Sequence, residues 1–204
     1  MPALHERLLF DTTRGAVLDG PRRYVLMRAD VLMGLFANLE GTARTTALEA
    51  LHRSVAAHGA DSVRAYRQTA GAEALPSLME AAAASLGWGR WQFDADDLAA
   101  IDANTDDRAA GTARRLRLAV TDSPFAAQAP HTGPSCHAIA GMLEALGGAL
   151  FGAPVEAREM HCAAQGGDAV CRFVAAPRAS PPAITPTPSH DTPARRHPLQ
   201  GDPS

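Results

Sequence analysis

The chain has 204 residues, 46% of them hydrophobic, with a net charge of −3 and a pI near 6.2. That is ample apolar material for one core, and the slight acidity excludes the global basic field that draws nucleic acid. No apolar run reaches the ~20 residues a spanning helix needs, the opening Met1-Pro-Ala-Leu-His-Glu6 lacks an apolar leader core, and three cysteines cannot make a closed disulfide framework; a reducing cytoplasm is the expected setting.

Residues 1–176 read as one α/β (α+β) domain, a small antiparallel sheet packed with several helices. Arg23-Tyr-Val-Leu-Met27 predicts a buried strand after Pro21. Asp30 then caps a helix with Val31, Leu32, Leu35, Phe36 and Leu39 inward, ended by Gly41. Thr46-x-x-Glu49 is a capping box for a second helix; Leu48, Leu51 and Val55 form its stripe and His58-Gly59 closes it. Asp61 opens a short segment with Val63 and Tyr66 inward, and Ala72 to Leu86 repeats apolar residues at helical spacing. Trp88 to Phe93 alternates like a strand. Asp94 to Arg114, rich in Asp and Ala, fits a loop or a polar helix. Leu116, Leu118 and Val120 alternate with Arg115, Arg117 and Ala119, as a half-buried strand requires.

Pro134 marks the start of the strongest helix, in which Cys136, Ile139, Leu143, Leu146 and Leu150 share one face, while Gly141, Gly147 and Gly148 leave room for another backbone. Val155 to Met160 and Ala169 to Ala175 form a hairpin across Gln165-Gly-Gly-Asp168. The last 28 residues, Pro177 to Ser204, hold 8 of the 15 prolines and few large apolar groups. That segment is expected to be a disordered Pro-rich tail.

The residues with the most chemical content are Cys136, Glu159, Cys162 and Cys171. Three thiolates and one carboxylate complete a tetrahedral zinc set, the donor count of a closed structural site. Free cysteines are also common as small buried apolar groups, and His161 is an alternative fourth donor to Glu159. Glu159 and Cys162 lie three residues apart, so a regular strand would turn them to opposite faces. A bulge after Met160 would bring both to one ion. Arg158, Arg172, His137 and His161 are near enough in sequence to offset the surplus negative charge. An iron–sulfur cluster, which wants four thiolates, is not favoured.

Glu159-x-x-Cys162, the glycine loop and Cys171-x-Phe173, after a glycine-bearing helix headed by Cys136, resemble the 4-vinyl reductase domain. This domain also serves as the sensor module of phenol-responsive bacterial activators. The separation of Cys162 and Cys171 is one residue longer than the usual form. Pro21-Arg-Arg-Tyr-Val-Leu-Met-Arg28 with the Val31–Leu39 helix is similar to the bacteriochlorophyll 4-vinyl reductase proteins. The chain length, without an ATPase or DNA-binding segment, favours that branch. The resemblance implies zinc on Cys136, Glu159, Cys162 and Cys171 beside a ligand pocket. It also implies a role in bacteriochlorophyll biosynthesis, with a divinyl (proto)chlorophyllide-type tetrapyrrole as ligand.

Three functions follow from it. Reduction of the ring vinyl group to ethyl would need NADPH or another reductant, and the sequence has no G-x-G-x-x-G. A non-catalytic tetrapyrrole carrier would serve other enzymes of the pathway. A small-aromatic sensor is the third reading. Other pathway enzymes and a second copy of the chain are the expected partners. A pocket over Leu35, Phe36, Leu39, Ile139 and Leu143 is expected, with Arg28, Arg64, Arg23 or Arg67 meeting propionates. His52, His58 or His131 would be the axial imidazole for a chelated Mg²⁺.

Overall fold

The computed structural model describes residues 3–102, 114–129 and 133–178. A short helix α1 (Leu4–Arg7) leads into strands β1 (Leu9–Asp11), β2 (Ala16–Asp19) and β3 (Arg22–Tyr24), which form a small antiparallel sheet in that order. The strand expected to run to Met27 ends at Tyr24. Val25, Leu26 and Met27 are 79%, 64% and 57% exposed. The reason is positional: β3 is an edge strand whose pairing to β2 ends at Val17↔Tyr24, and a short apolar run has no period that separates buried from exposed.

Helix α2 (Ala29–Ala37) follows, with Arg28 rather than Asp30 at the N-cap. Met33 and Phe36 are its buried residues, while Val31 and Leu35 point to solvent. The buried face is rotated from the expected one, because Met33 takes the core position. Gly41, expected to end this helix, instead opens α3 (Gly41–Ala70) with φ +50°. The two helical pieces expected over residues 46–66 are one 30-residue helix. Gly59, read as a break, lies inside it. A Cβ there would meet the Met142 Cε and Sδ at 3.0 Å, so this glycine serves close packing.

Helix α4 (Leu75–Ser85) buries Leu75, Met79 and Ala82 as expected. Strand β4 (Arg90–Phe93) turns Trp91 and Phe93 inward. The Asp-rich stretch begins as a helix, α5 (Ala95–Asp102), and its continuation over 103–113 lies outside the described residues. Strand β5 (Leu116–Thr121) alternates buried and half-buried residues without exception. After the single turn α6 (Pro124–Ala127) come helix α7 (His137–Phe151), β6 (Val155–His161) and β7 (Val170–Pro177). The expected tail lies almost entirely beyond the described residues.

There are two small sheets where the sequence suggested one. The second runs β4-β5-β7-β6, antiparallel throughout. Its inward residues Leu116, Leu118, Val120, Phe173 and Ala175 join Ile139, Leu143 and Leu146 of α7 in one core, each at most 2% exposed. Each such large side chain contributes ~1.5–3 kcal/mol. Helix α3 crosses α7 where Gly141 meets it: a Cβ there would lie 2.4 Å from the His52 carbonyl oxygen. On the other flank, Asp97 of α5 clamps β5. Its carboxylate accepts from the Arg117 backbone N–H at 2.9 Å, from Nε at 2.8 Å and from Nη2 at 2.9 Å.

Candidate metal centre and adjoining clefts

Strand pairing explains how the four donors meet. On β6, Val155, Ala157 and Glu159 share the inward parity, and Glu159 pairs with Phe173. The next pair is His161 with Arg172, so β6 advances two residues while β7 advances one. This is the bulge that the spacing of Glu159 and Cys162 demands. Met160 is the extra residue and is 66% exposed. The bulge inverts the parity, and Cys162 follows Glu159 to the inner face. On β7, Cys171 shares the inward parity of Phe173 and Ala175. Cys136 is the N-cap residue of α7.

The Cys136 sulfur lies 3.7 Å from that of Cys171 and 4.0 Å from that of Cys162. One ligand atom from each of Cys136, Glu159, Cys162 and Cys171 falls within 4.8 Å of the others, and the group could hold a metal ion. Tetrahedral thiolates with bonds of about 2.3 Å would set their sulfurs about 3.8 Å apart. Glu159 Oε2 accepts the Cys136 backbone N–H at 3.0 Å, while Oε1 is buried and has no hydrogen-bond partner. A buried carboxylate oxygen without a partner is costly unless a cation meets it. The donor set and this oxygen fit a divalent metal.

The local electrostatics point the same way. Hydrogen bonds from Cys136, then Cys162, hold the Cys171 thiol down to about 4, aided by the Ala163 N–H. Cys136, hydrogen-bonded to both other thiols, is pushed up. Burial lifts Glu159 to about 7 against the pull of the Cys136 N–H. Several acidic groups crowded into one buried site compete to keep their protons. A cation would let them ionise together.

The expected supporting charges are not beside the donors. Arg158 pairs with Glu156 at 2.8 Å and Arg172 with Asp168 at 2.7 Å, both on the outward parity of the hairpin. His161 lies outside the four-donor group, and its Nε2 is buried and without a partner. His137 packs edge-on to His52, with ring centroids 6.4 Å apart. Burial, then the His52 charge, holds its pKa down.

A cleft of about 830 Å³ opens beside Glu159, between the first turns of α3, residues 133–137 and β6. His52 lines it and meets Glu144 at 3.0 Å, and Arg178 holds the other Glu144 oxygen at 3.0 Å.

A second cleft of about 480 Å³ lies between α3, α4 and the start of β4, with β3 at its rim. The chain has only two tryptophans and two tyrosines, and Tyr24, Tyr66, Trp88 and Trp91 all line this cleft. Met79 and Met142 add soft apolar surface, and Arg22, Arg23 and His58 supply polar groups. The Arg7 guanidinium sits 5.4 Å over the Tyr66 ring and donates to its hydroxyl at 3.1 Å. Burial, then the Tyr66 charge, raises the Tyr24 phenol.

The structure does not gather the residues expected around a pocket. Phe36, Ile139 and Leu143 are buried core, Leu35 is 59% exposed and Leu39 is half-buried. Arg28 pairs with Asp30, and Arg64 pairs with Asp61 at 3.0 Å. Arg67 donates to the Ala149 carbonyl at 2.9 Å. Of the polar candidates, Arg23 and His58 reach the aromatic cleft and His52 reaches the cleft at Glu159; His131 lies outside the described residues. The four aromatic lining residues were missed because they are scattered from 24 to 91. Their scarcity, at 5% aromatics overall, was the available signal.

Residues 116–177, which carry β5 to β7 and all four donors, match the vinyl-4-reductase (V-4-R) domain. Among solved structures, the chain is similar to the phenol-responsive sensory domain of the transcription activator PoxR, determined with phenol. The TM-score is 0.66 at 20% identity, covering 85% of this chain and 86% of that one. It is also similar to a vinyl-4-reductase family protein from Methanocaldococcus jannaschii, with a TM-score of 0.41 at 14% identity over 71% and 73% of the two chains. No curated protein matches the sequence. Among the described residues no helix is long and apolar enough to cross a membrane.

Proposed function

We propose that this chain is a metal-stapled ligand-binding domain that carries a divinyl (proto)chlorophyllide-type tetrapyrrole in the cytoplasm during bacteriochlorophyll biosynthesis. Zinc, held by Cys136, Glu159, Cys162 and Cys171, would tie the head of α7 to the β6–β7 hairpin. Four protein donors fill a tetrahedral set, so the ion's part is to hold the fold. Elemental analysis should find about one zinc per chain; a folded protein free of metal would refute this.

The observation that carries the ligand reading is the convergence of every Trp and Tyr of the chain on one cleft. Its volume lies in the ~300–1,000 Å³ range of small-molecule sites. Flat aromatic side chains favour a flat ligand, and Arg22 and Arg23 stand at the rim to meet carboxylates. The resemblance of residues 21–39 to the pigment branch of the family supports the tetrapyrrole.

The two tryptophans make the test direct. Titrating the purified protein with divinyl protochlorophyllide should quench tryptophan fluorescence saturably, and Trp88→Ala should weaken binding. Conversion to the monovinyl product on adding NADPH would assign the vinyl reduction to this chain. Binding without conversion supports the carrier. Absence of quenching would overturn the pigment reading. A second reading, a sensor of small aromatic compounds, is favoured by the fold shared with the PoxR sensory domain. Quenching by phenol but not by the tetrapyrrole would select it.

A further inference from the structure

The four donors differ in their access to solvent. Cys136, Cys162 and Cys171 are each 0% exposed. The hydroxyl of Ser123, itself 5% exposed, covers the Cys136 sulfur at 3.4 Å. The backbone N–H of Ala163 covers Cys171 at 3.3 Å. Glu159 alone is half-buried, and it alone of the four lines a described cleft, the one of about 830 Å³. It stands on β6, the edge strand of its sheet. Its Oε1 has no partner, and a single backbone hydrogen bond holds Oε2.

We propose that the metal enters and leaves the centre through this cleft, with Glu159 as the moving gate. The inference rests on the metal reading above. A carboxylate is the hardest and most mobile donor of the set, and it swings about its own side-chain torsions. The thiols sit on a helix cap, a strand and a strand end that are packed into the core. Rotation of Glu159 toward the cleft opens one coordination position to water or to a competing chelator and leaves the three sulfurs in place. The cleft wall already offers the donor types that a metal in transit would meet, His52, His137 and Glu144. Uptake runs in the reverse order: the thiols lose their protons to solvent as the ion arrives, and Glu159 closes last.

The test uses the full chain loaded with Co²⁺, whose thiolate charge-transfer absorbance reports the filled centre, mixed with excess EDTA. Thr45 and Glu49 are exposed α3 residues on the cleft wall, so Thr45→Trp/Glu49→Trp narrows the passage without touching a donor. This double variant should bind the same amount of metal and melt as wild type does, yet release and take up Co²⁺ about tenfold more slowly. Glu159→Gln should release it at least about tenfold faster. Wild-type exchange rates in the double variant, or wild-type release by Glu159→Gln, would overturn the route. A chain that takes up no metal at all refutes the metal reading itself and the route with it.

Discussion

The two sheets are held by different means. The four-stranded sheet has its inner face sealed, with Leu116, Val120, Cys171 and Ala175 at 0% exposure under α7. The N-terminal sheet has little such cover: Leu9 and Phe10 of β1 are 61% and 57% exposed, and the chain leaving β3 shows Val25 to Met27 to solvent. What ties it down is largely polar. Arg7 donates to both Asp19 oxygens, at 3.1 and 2.9 Å, and to Tyr66 on α3. The contrast implies that global stability resides in the C-terminal half, whereas the N-terminal sheet opens at lower cost and can adapt at the rim of the aromatic cleft.

The sharpest way to break this contrast is to attack the hairpin. Cys171→Ala is expected to cost on the order of 5 kcal/mol, because metal-binding free energy is folding free energy. Thermal melts with and without chelator check it, and equal melting of variant and wild type in both conditions would contradict the staple. Gly141→Ala should cost ~3 kcal/mol by forcing α7 away from the His52 carbonyl, read from urea midpoints.

Asp97→Asn should cost ~2 kcal/mol at neutral pH. Burial alone would raise this carboxyl, but the hydrogen bonds and charge of Arg117 outweigh it and hold it below its ordinary 3.8. A depressed folded value means that the contribution is present above pH 3.8 and is lost as pH falls through the folded value. The gap between variant and wild type should therefore close in acid. Arg7→Ala should have the smallest global effect, ~1 kcal/mol. Hydrogen exchange should nonetheless speed up in β1–β3 while β5 and β7 stay protected. Uniform acceleration across both sheets would erase the distinction.

The C-terminal half was the more readable half for the same physical reason that it is the more stable. A sheet with one sealed face writes its pairing into alternation, as in Leu116, Leu118 and Val120, and a hairpin tip with two cysteines announces itself locally. The three-residue step from Glu159 to Cys162 even required the bulge. Residues 23–27 misled because an apolar run on an exposed edge has the same composition as one in a core. Gly59 misled because a glycine that admits Met142 is indistinguishable, in one dimension, from one that ends a helix. The aromatic cleft depends on tertiary contacts between α3, α4 and the first strands, and no local pattern records those.

The bulge at Met160 also determines where the chain can change length. Between Glu159 and Cys162 every residue is counted by the ladder. One insertion or deletion there would return Cys162 to the outer face and strip the centre of a donor. Beyond Cys162 the chain leaves the ladder for a single turn over Ala163–Gln165 and the glycines at 166 and 167, both with positive φ. Length is uncounted there. The one residue by which this chain exceeds the usual separation of Cys162 and Cys171 falls in that stretch, where an insertion lengthens a loop and leaves the donors facing one another.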